Sequence, residues 1–578
     1  MKSALAWLRR PLGIGLALFA GSLVLRVFCF VLFPHPAYPD SFYYSAVARS
    51  LASGHGFSID YLWNFIEVGS VVPPHGLLPM VSNAHWMPLA SLIQVPFIWL
   101  LGPTDLAGSV PFMLLGAALA PLTYFFVRDM ARPHLRDLGW PAVLAGVLAA
   151  SSGLIMAFLS QPDNFALYAL LVAPVLWIIG RLWRGDPGLV LRGRAFGPRA
   201  SLAVAGLLSG LAFLSRNDGV LLPVAVGLLW LASAARARWR HTKPPFAFTD
   251  LLIYGAMALV VVLPWLVRQE LVFGALSPSA NTGRILWIRY YQQLFAADGP
   301  ISIGYLLAWG PGNLLASRAE ALLNVFEILA FELLFLAGPL FAITGLRRAA
   351  GSRALRPYFA WMAIFFAWSV IVAAPHLISG NFIHSAVATL PLLYLLMVDG
   401  LAGFIEAFCR RFSRFNPDNV RNKTIFTVVG LFLMLSIVFA FLAPSQWATY
   451  RSNYEGAMAA IDARGGQGQM IMAADPGLVW SIDPATPAIQ TPTADPPTAH
   501  ELEILHSAIV SYGARWLIID REHVVAGLSG VLKGTDHPDW LAANPIYVKP
   551  NSDPTASGDA AKIPDVEVFQ ILYPANAP

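Results

Sequence analysis

The sequence predicts a polytopic α-helical membrane protein of about eleven spans, with helices lying along its outer face, plus a C-terminal soluble α/β domain. Three observations carry this expectation. The 578-residue chain is 57% hydrophobic and only 12% charged, with a mean hydropathy of +0.61, which excludes an ordinary soluble globular protein. Many apolar runs reach the roughly 18 residues that a helix needs to cross a bilayer. Beyond Phe441 the composition turns polar and Pro-rich. The formal charge of +5 is modest. Its basic residues cluster in short loops between apolar runs, a topology signal rather than a nucleic-acid footprint. Cys29 and Cys409 are expected near opposite membrane faces, so neither a disulfide nor a cysteine metal site is expected.

At the N-terminus, Lys2, Arg9 and Arg10 precede an apolar run that continues to about Phe33 without a small-x-small cleavage pattern. It reads as an uncleaved signal anchor, 11–33, running from inside to outside. Residues 34–85 are aromatic and punctuated by Pro and Gly, with Arg49 their only Lys or Arg. They read as an external loop holding a helix over 41–53 that stops at Gly54. The run 86–102 contains Pro88 and Pro96. If it spans, Arg128–Arg136 and every later basic loop fall outside. If it lies on or dips into the outer face, they all fall inside. Spans then follow at 106–128, 139–160, 164–182, 200–215, 218–234, 249–270, 322–346, 357–375, 383–406 and 424–443. The basic loops 181–199, 235–243, 347–356 and 410–423 become internal, and 161–163 and 376–382, free of Lys and Arg, become external. Eleven spans result, with the N-terminus in and the C-terminus out.

A second external loop, 271–321, includes Trp287-Ile-Arg-Tyr-Tyr291 and Gly310-Pro-Gly312. The membrane part is thus 1–444, with external loops 34–105 and 271–321, and 445–578 forms the extracytoplasmic domain. Within that domain Gln469–Ala474, Arg515–Asp520 and Val566–Tyr573 read as strands and 499–513 as a helix, an α/β pattern.

Few polar residues end on the outer face. Asp40 follows the first span, Asp163 sits in Gln161-Pro-Asp-Asn164, and Arg216 with Asp218 occupies the apex between 200–215 and 218–234. Arg26 lies inside the first span, and His85 and Trp86 precede the run 86–102. A charge at membrane depth costs a few kcal/mol and so faces a protein-lined or wet cavity. Each residue also has a plain structural reading. Asp40 after Pro39 suits an N-cap of the 41–53 helix, and Asp163 one for 164–182. Arg26 suits a snorkelling side chain, and Arg216-Asn-Asp218 a turn with a local ion pair. His35, His55 and His75 read as loop residues. The sequence displays no tight His/Asp/Glu cluster, so a divalent metal has no visible ligand set and no other cofactor is indicated.

In order, the chain offers an Asp after the first span and an amphipathic helix with Ala48-Arg-Ser-Leu-Ala-Ser-Gly-His-Gly-Phe57. Then come Trp86-Met-Pro-Leu89, a second external Asp, and Leu211-Ala-Phe-Leu-Ser-Arg-Asn-Asp-Gly-Val-Leu-Leu222. This order resembles the GT-C glycosyltransferase superfamily, nearest the branch of protein O-mannosyltransferases and the lipid A aminoarabinose transferase. The tail, with Tyr512-Gly-Ala-Arg-Trp-Leu-Ile-Ile-Asp520, resembles the external domains of bacterial members. The resemblance implies a polyprenyl-phosphate-linked sugar donor and an acceptor hydroxyl on a lipid, glycan or protein, met at the outer face of a bacterial inner membrane. It implies that Asp40 is the catalytic aspartate and that Asp163 is the second acidic position. Tyr43, Tyr44, His85, Trp86 and Asp218 are then candidates for the substrate site, with Arg26 for donor phosphate. One departure stands out. Where many relatives have an Arg-Tyr pair before a late span, this chain reads Gly380-Asn-Phe-Ile-His384. A phosphate-holding role would then pass to Arg216, Arg284, Arg289 or His384.

The chemistry needs a base within about 3 Å of the acceptor hydroxyl, and a carboxylate at a partly dehydrated interface gains base strength. Arg suits the departing phosphate, and attack opposite it would invert the anomeric centre. Two other readings compete. In a transporter or lipid flippase, Asp40, Asp163 and Arg26 would be gating charges, but the chain shows no internal repeat and its external charges sit at span ends. In a non-catalytic polysaccharide-assembly subunit, the outer domain would be the binding part.

Overall fold

The computed structural model describes residues 10–191, 193–277, 279–298, 301–335, 338–376, 382–493, 500–535, 537–553, 555 and 562–573. Lys2 and Arg9 of the basic flank, and Gly380-Asn381 of the late loop, lie outside them. Helix α1 (Pro11–Leu32) is followed by α2 (Pro39–Ala52) and, in the first long loop, by a two-residue strand β1 (Tyr61–Leu62). The apolar helices continue with α3 (Asp105–Met130), α4 (Trp140–Ser151), α5 (Asn164–Arg184), α6 (Pro198–Ser215), α7 (Leu221–Trp239) and α8 (Phe248–Phe273). After the second long loop come α9 (Pro311–Glu327), α10 (Gly338–Ala349), α11 (Arg356–Ala367), α12 (Leu390–Arg411) and α13 (Pro417–Asp462).

Among the described residues, 8 helices are long and apolar enough to cross a membrane, and 9 if the bent pair after α4 counts as one. The chain is an integral membrane protein with fewer unbroken spans than the eleven expected, and the differences have local causes. The span expected at 139–160 bends by 60° between α4 and Gly153–Ser160, where Ser152 and Gly153 take positive φ. The carbonyls on either side of the bend, Ala150 and Met156, each accept a hydrogen bond of 2.7 Å from the Arg26 guanidinium. Arg26 is 0% exposed; rather than snorkelling, it supplies donors that the broken helix lacks. The span expected at 322–346 falls on α9, a π-helical turn Ile328–Leu333, and α10. There Leu333 gives its carbonyl to the Tyr394 hydroxyl at 3.2 Å and Phe335 takes a positive φ. The expected span at 357–375 is the shorter apolar helix Arg356–Val372. The run 86–102 forms two short helices, Leu89–Leu92 and Val95–Leu101. Even end to end they would reach only about 20 Å, against roughly 30 Å of hydrocarbon.

Helix α13 is continuous over 46 residues, about 70 Å at 1.5 Å per residue. The boundary expected at 444/445 therefore lies inside one helix, whose last turns carry the C-terminal domain. That domain contains β2 (Ile471–Ala473), α14 (Pro476–Ile482), β3 (Ala488–Gln490), α15 (His500–Tyr512), β4 (Trp516–Asp520), β5 (Tyr547–Lys549) and β6 (Val566–Gln570). The sheet order is β1-β3-β2-β4-β6-β5. Strands β1, β3, β2 and β4 run parallel, and β6 is antiparallel to β4 and β5. Strand β4 is the all-apolar Trp-Leu-Ile-Ile followed by Asp520, and all five residues are buried, as befits a central parallel strand. The first long loop completes this sheet: Tyr61 registers with Ala488 and Leu62 with Ile489, so one sheet edge is covered by the membrane part. Helix α14 then packs on α2. Trp480 lies 5.0 Å under the Arg49 guanidinium and 6.1 Å from the Tyr61 ring.

Two predictions follow from packing and charge. Helices α10 and α12 cross at Gly345 and Gly400, where an added Cβ would lie 1.9 Å from the carbonyl oxygens of Leu396 and Phe341, respectively. Only a residue without a side chain lets the backbones approach so closely. Gly400→Leu should lower thermal stability, by about 1–3 kcal/mol or more, while Gly430→Leu, where nothing lies within 4 Å, should be neutral in the same detergent melt. The second concerns the join of α13 to β4, where Asp520 accepts from Tyr454 Oη at 2.9 Å and contacts His523 Nδ1 at 2.9 Å. Partial burial works against the His523 charge. The hydrogen bond and charge of Asp520, with Asp475 and Glu522, outweigh it and raise the pKa to about 9. A raised histidine contributes stability that is complete below its ordinary pKa near 6.5 and lost as pH rises through the folded value. Melting of the outer domain should therefore fall between those two pH values, and His523→Gln should flatten the profile; an unchanged slope would assign it to other groups.

Candidate active site

Helix α2 opens with Pro39 at its first position, and its cap is Tyr38 rather than Asp40. The side chain that closes this end is Ser41, whose Oγ accepts from the backbone N–H of Ala37 at 2.8 Å and of Tyr38 at 3.0 Å. Asp40 is thus released from the capping role that the sequence allowed it. Asp163 does cap α5: its Oδ1 accepts from the Asn164 N–H. That bond occupies one oxygen and leaves Oδ2 buried without a hydrogen-bond partner.

Between them stands His384. Its Nδ1 lies 3.6 Å from Asp40 Oδ2 and 3.4 Å from Asp163 Oδ2, and it too is buried without an aligned hydrogen bond. The imidazole is held flat on Phe165, with ring centroids 4.1 Å apart and planes 18° apart. Asp163 is 0% exposed and Asp40 only 18%. Burial, with Asp163 beside it, pushes the Asp40 carboxyl well above the ordinary carboxylate range, against the opposing pull of His384 and Arg216. Among the described residues these three are the one group whose ligand atoms converge for a metal ion, all within 4.8 Å of one another. The absence of a visible ligand cluster in the sequence is therefore corrected. The three residues lie at 40, 163 and 384, on three separate elements, and only folding makes them neighbours. The two orphaned atoms, Asp163 Oδ2 and His384 Nδ1, are where a cation would find donors, and a carboxylate–imidazole set suits Mn²⁺ or Zn²⁺.

A second layer holds the trio in place. Asn164 donates to the Tyr44 hydroxyl and accepts from Ser215 Oγ at 3.0 Å, tying α2, α5 and α6 together. Arg216, next in the chain, donates from Nε to Ser385 Oγ at 2.8 Å, and Ser385 donates to Asp218. The Arg216–Asp218 ion pair at 3.3 Å is present as a local turn contact, yet the Arg216 charge still favours the ionised form of Asp40. Asn164, Phe165, Ser215 and Ser385 were not singled out from the sequence. The signal for Asn164 and Ser215 was their adjacency to Asp163 and Arg216; nothing comparable marked Ser385 or Phe165.

The remaining candidates lie elsewhere. Tyr43 uses its hydroxyl to accept from the Asn83 N–H at 2.7 Å. With Tyr44, Trp63 and His85 it surrounds Trp86, at centroid distances of 5.0–5.5 Å. Glu67 braces this aromatic group, accepting from Trp63 Nε1 and the Ala84 N–H, both at 3.1 Å. Arg284 donates to the Gly69 carbonyl at 2.8 Å, and Arg289 holds the Tyr305 carbonyl with its guanidinium 3.7 Å over that residue's ring. Both serve the order of the long loops.

No family model matches the sequence, and comparison with curated proteins finds no match. Solved structures do. ArnT from Cupriavidus metallidurans in the apo state matches with a TM-score of 0.52 at 13% identity, covering 98% of both chains. The same protein bound to undecaprenyl phosphate matches with a TM-score of 0.51 at 14% identity and the same coverage. The archaeal oligosaccharyltransferase AglB from Archaeoglobus fulgidus, in complex with an inhibitory peptide and a dolichol-phosphate, matches with a TM-score of 0.51 at 12% identity, over 89% of this chain and 70% of that one. With ArnT matching over 98% of this chain and AglB over 89%, the chain shares the fold of these two proteins, as the resemblance read from its sequence implied.

Proposed function

We propose that this protein is a glycosyltransferase that moves a monosaccharide from a polyprenyl-phosphate donor to an acceptor hydroxyl, at the outer face of a bacterial inner membrane and with inversion. The observation that carries the reading is Asp40 itself, a carboxylate freed from capping and set in a mostly dehydrated place against Asp163 and His384. That one neighbour is bound to undecaprenyl phosphate and another to dolichol-phosphate supports a lipid-linked donor.

In this reading Asp40 takes the proton from the acceptor hydroxyl as its oxygen attacks the anomeric carbon. The bond from that carbon to the phosphate oxygen breaks, and its electron pair leaves with the polyprenyl phosphate. The leaving phosphate gains charge, which Arg216 is placed to offset. Its fixed contact to Ser385 keeps the guanidinium at the site without waiting for substrate. Arg216 thus takes the role that the missing Arg of the late loop leaves open, while His384 stays with the carboxylates. A divalent cation held by Asp40, Asp163 and His384 would supply further positive charge for phosphate.

Asp40→Asn should lower the turnover of sugar transfer by about 10²–10⁴-fold, the range for loss of a general base, with membrane insertion intact. Near-normal turnover in that variant, followed with a radiolabelled polyprenyl-phosphate sugar, would remove Asp40 from the base role. Metal binding has its own readout. Titration of the chelator-treated protein with Mn²⁺, followed by electron paramagnetic resonance, should show one bound ion per chain, weakened at least about tenfold in Asp163→Asn and in His384→Ala. An unchanged affinity in both would place the ion elsewhere.

A further inference from the structure

Away from the Asp40 group, a cavity of about 390 Å³ opens where α13 meets the C-terminal domain. Among the described residues it is lined by Ser445, Gln446, Thr449, Tyr450 and Asn453 of α13, by Asp520, Arg521 and Glu522 after β4, and by Ser552 and Asp565. That volume lies within the roughly 300–1,000 Å³ typical of small-molecule sites. Unlike most of them, it contains no aliphatic side chain. Asn453, only 8% exposed, brings a side-chain amide to the wall.

The charges around the cavity are largely matched from within. Arg521 pairs with Asp565 at 3.2 Å and His523 with Asp520 at 2.9 Å. Neither a phosphate nor a metal ion finds a uniform field here. What remains is a dense set of hydroxyls, amides and carboxylate oxygens, able to give and take hydrogen bonds in several directions. The Tyr450 ring, 5.4 Å from that of His523, adds an aromatic surface. Such a lining suits a ligand that is uncharged and carries many hydroxyl groups around an apolar ring face. The cavity begins one turn past the exposed apolar residues Phe441 and Leu442 of α13. In the same turns Trp447 packs on Tyr38, the cap of the Asp40 helix, at 6.0 Å between centroids.

We infer that this junction cavity is a carbohydrate site that holds a neutral glycan of the acceptor, on the helix α13 whose Trp447 packs on the cap of the Asp40 helix. The assignment to the acceptor rests on the proposed transferase activity; the binding of a neutral glycan does not. The experiment uses the full chain in a sugar-free amphipol and saturation-transfer NMR with neutral oligosaccharides of hexose, pentose and N-acetylhexosamine. Wild type and Asp40→Asn should give the same saturation transfer. Thr449→Trp, which fills the cavity from an exposed position, and Asn453→Leu should each weaken binding at least about tenfold. Inorganic phosphate and Mn²⁺ should leave the signal unchanged. Absence of any glycan signal in the wild type, an undiminished signal in both cavity variants, or displacement by phosphate or Mn²⁺ would each overturn the inference. Transfer retained by Asp40→Asn would instead defeat the proposed reaction and leave the glycan signal to decide the cavity on its own.

Discussion

Two carboxylates and an imidazole, with ligand atoms within 4.8 Å of one another and mostly hidden from water, are the arrangement on which the rest of this structure depends. Placing Asp40 and Asp163 together is unfavourable in itself, because two like charges in a poorly solvated place repel and each loses hydration. Something must offset it. His384 and Arg216 do so in part, and a shared proton or a cation would do more. The surrounding polar chain exists on the same terms. Tyr44, Asn164, Ser215, Ser385 and Asp218 satisfy one another, while Asp163 Oδ2 and His384 Nδ1 at the centre have no hydrogen-bond partner. Two unpartnered atoms facing each other, one on a carboxylate and one on an imidazole, are where a cation or a proton would complete the network.

Holding that centre requires three elements with little in common in sequence. Helix α2 supplies Asp40, the entry to α5 supplies Asp163, and the short helix Phe382–Ala386 supplies His384. Each is fixed by a different device. Ser41 closes the start of α2, the Asp163 backbone cap sets the start of α5, and stacking on Phe165 sets the imidazole plane. Arg26, buried one layer away, fixes the bend that precedes Asp163 by holding carbonyls on both of its sides. A charged side chain inside an apolar helix therefore has a structural use here, and its burial alone was never evidence of contact with substrate.

Much of the fold was legible because the bilayer imposes simple rules. Apolar length and the placement of Arg gave the helices and their order, and the composition change after Phe441 gave the second domain. What escaped the sequence was what those rules do not govern. The bend at Ser152-Gly153 depends on a partner far away in the chain, Arg26. Strand β1 is two residues long and forms only because β3 offers it an edge. At the site, Asp40 and Asp163 were legible as isolated acidic residues at helix starts. Their union with His384 was not, since 221 positions separate Asp163 from His384 (384 − 163) and no local period links them. The same spacing hid the metal-competent geometry, which is a property of three elements and of none alone.

The C-terminal domain is tied to this centre more tightly than a linked module would need to be. Its sheet takes β1 from the loop that follows α2, its helix α14 lies on α2 through Trp480, and its stem α13 places Trp447 on Tyr38. These contacts bear on the helix that carries Asp40 and on the loop that follows it. A loop strand that belongs to a distant sheet cannot shift without breaking that sheet's edge, so the position of α2 is set jointly by the membrane helices and by the soluble domain. In the proposed reaction, such joint control of Asp40 makes the domain part of the scaffold that sets the base. A glycan held at the α13 junction would then act on the same scaffold from its far side, so that acceptor recognition and the setting of Asp40 are two consequences of one packed interface.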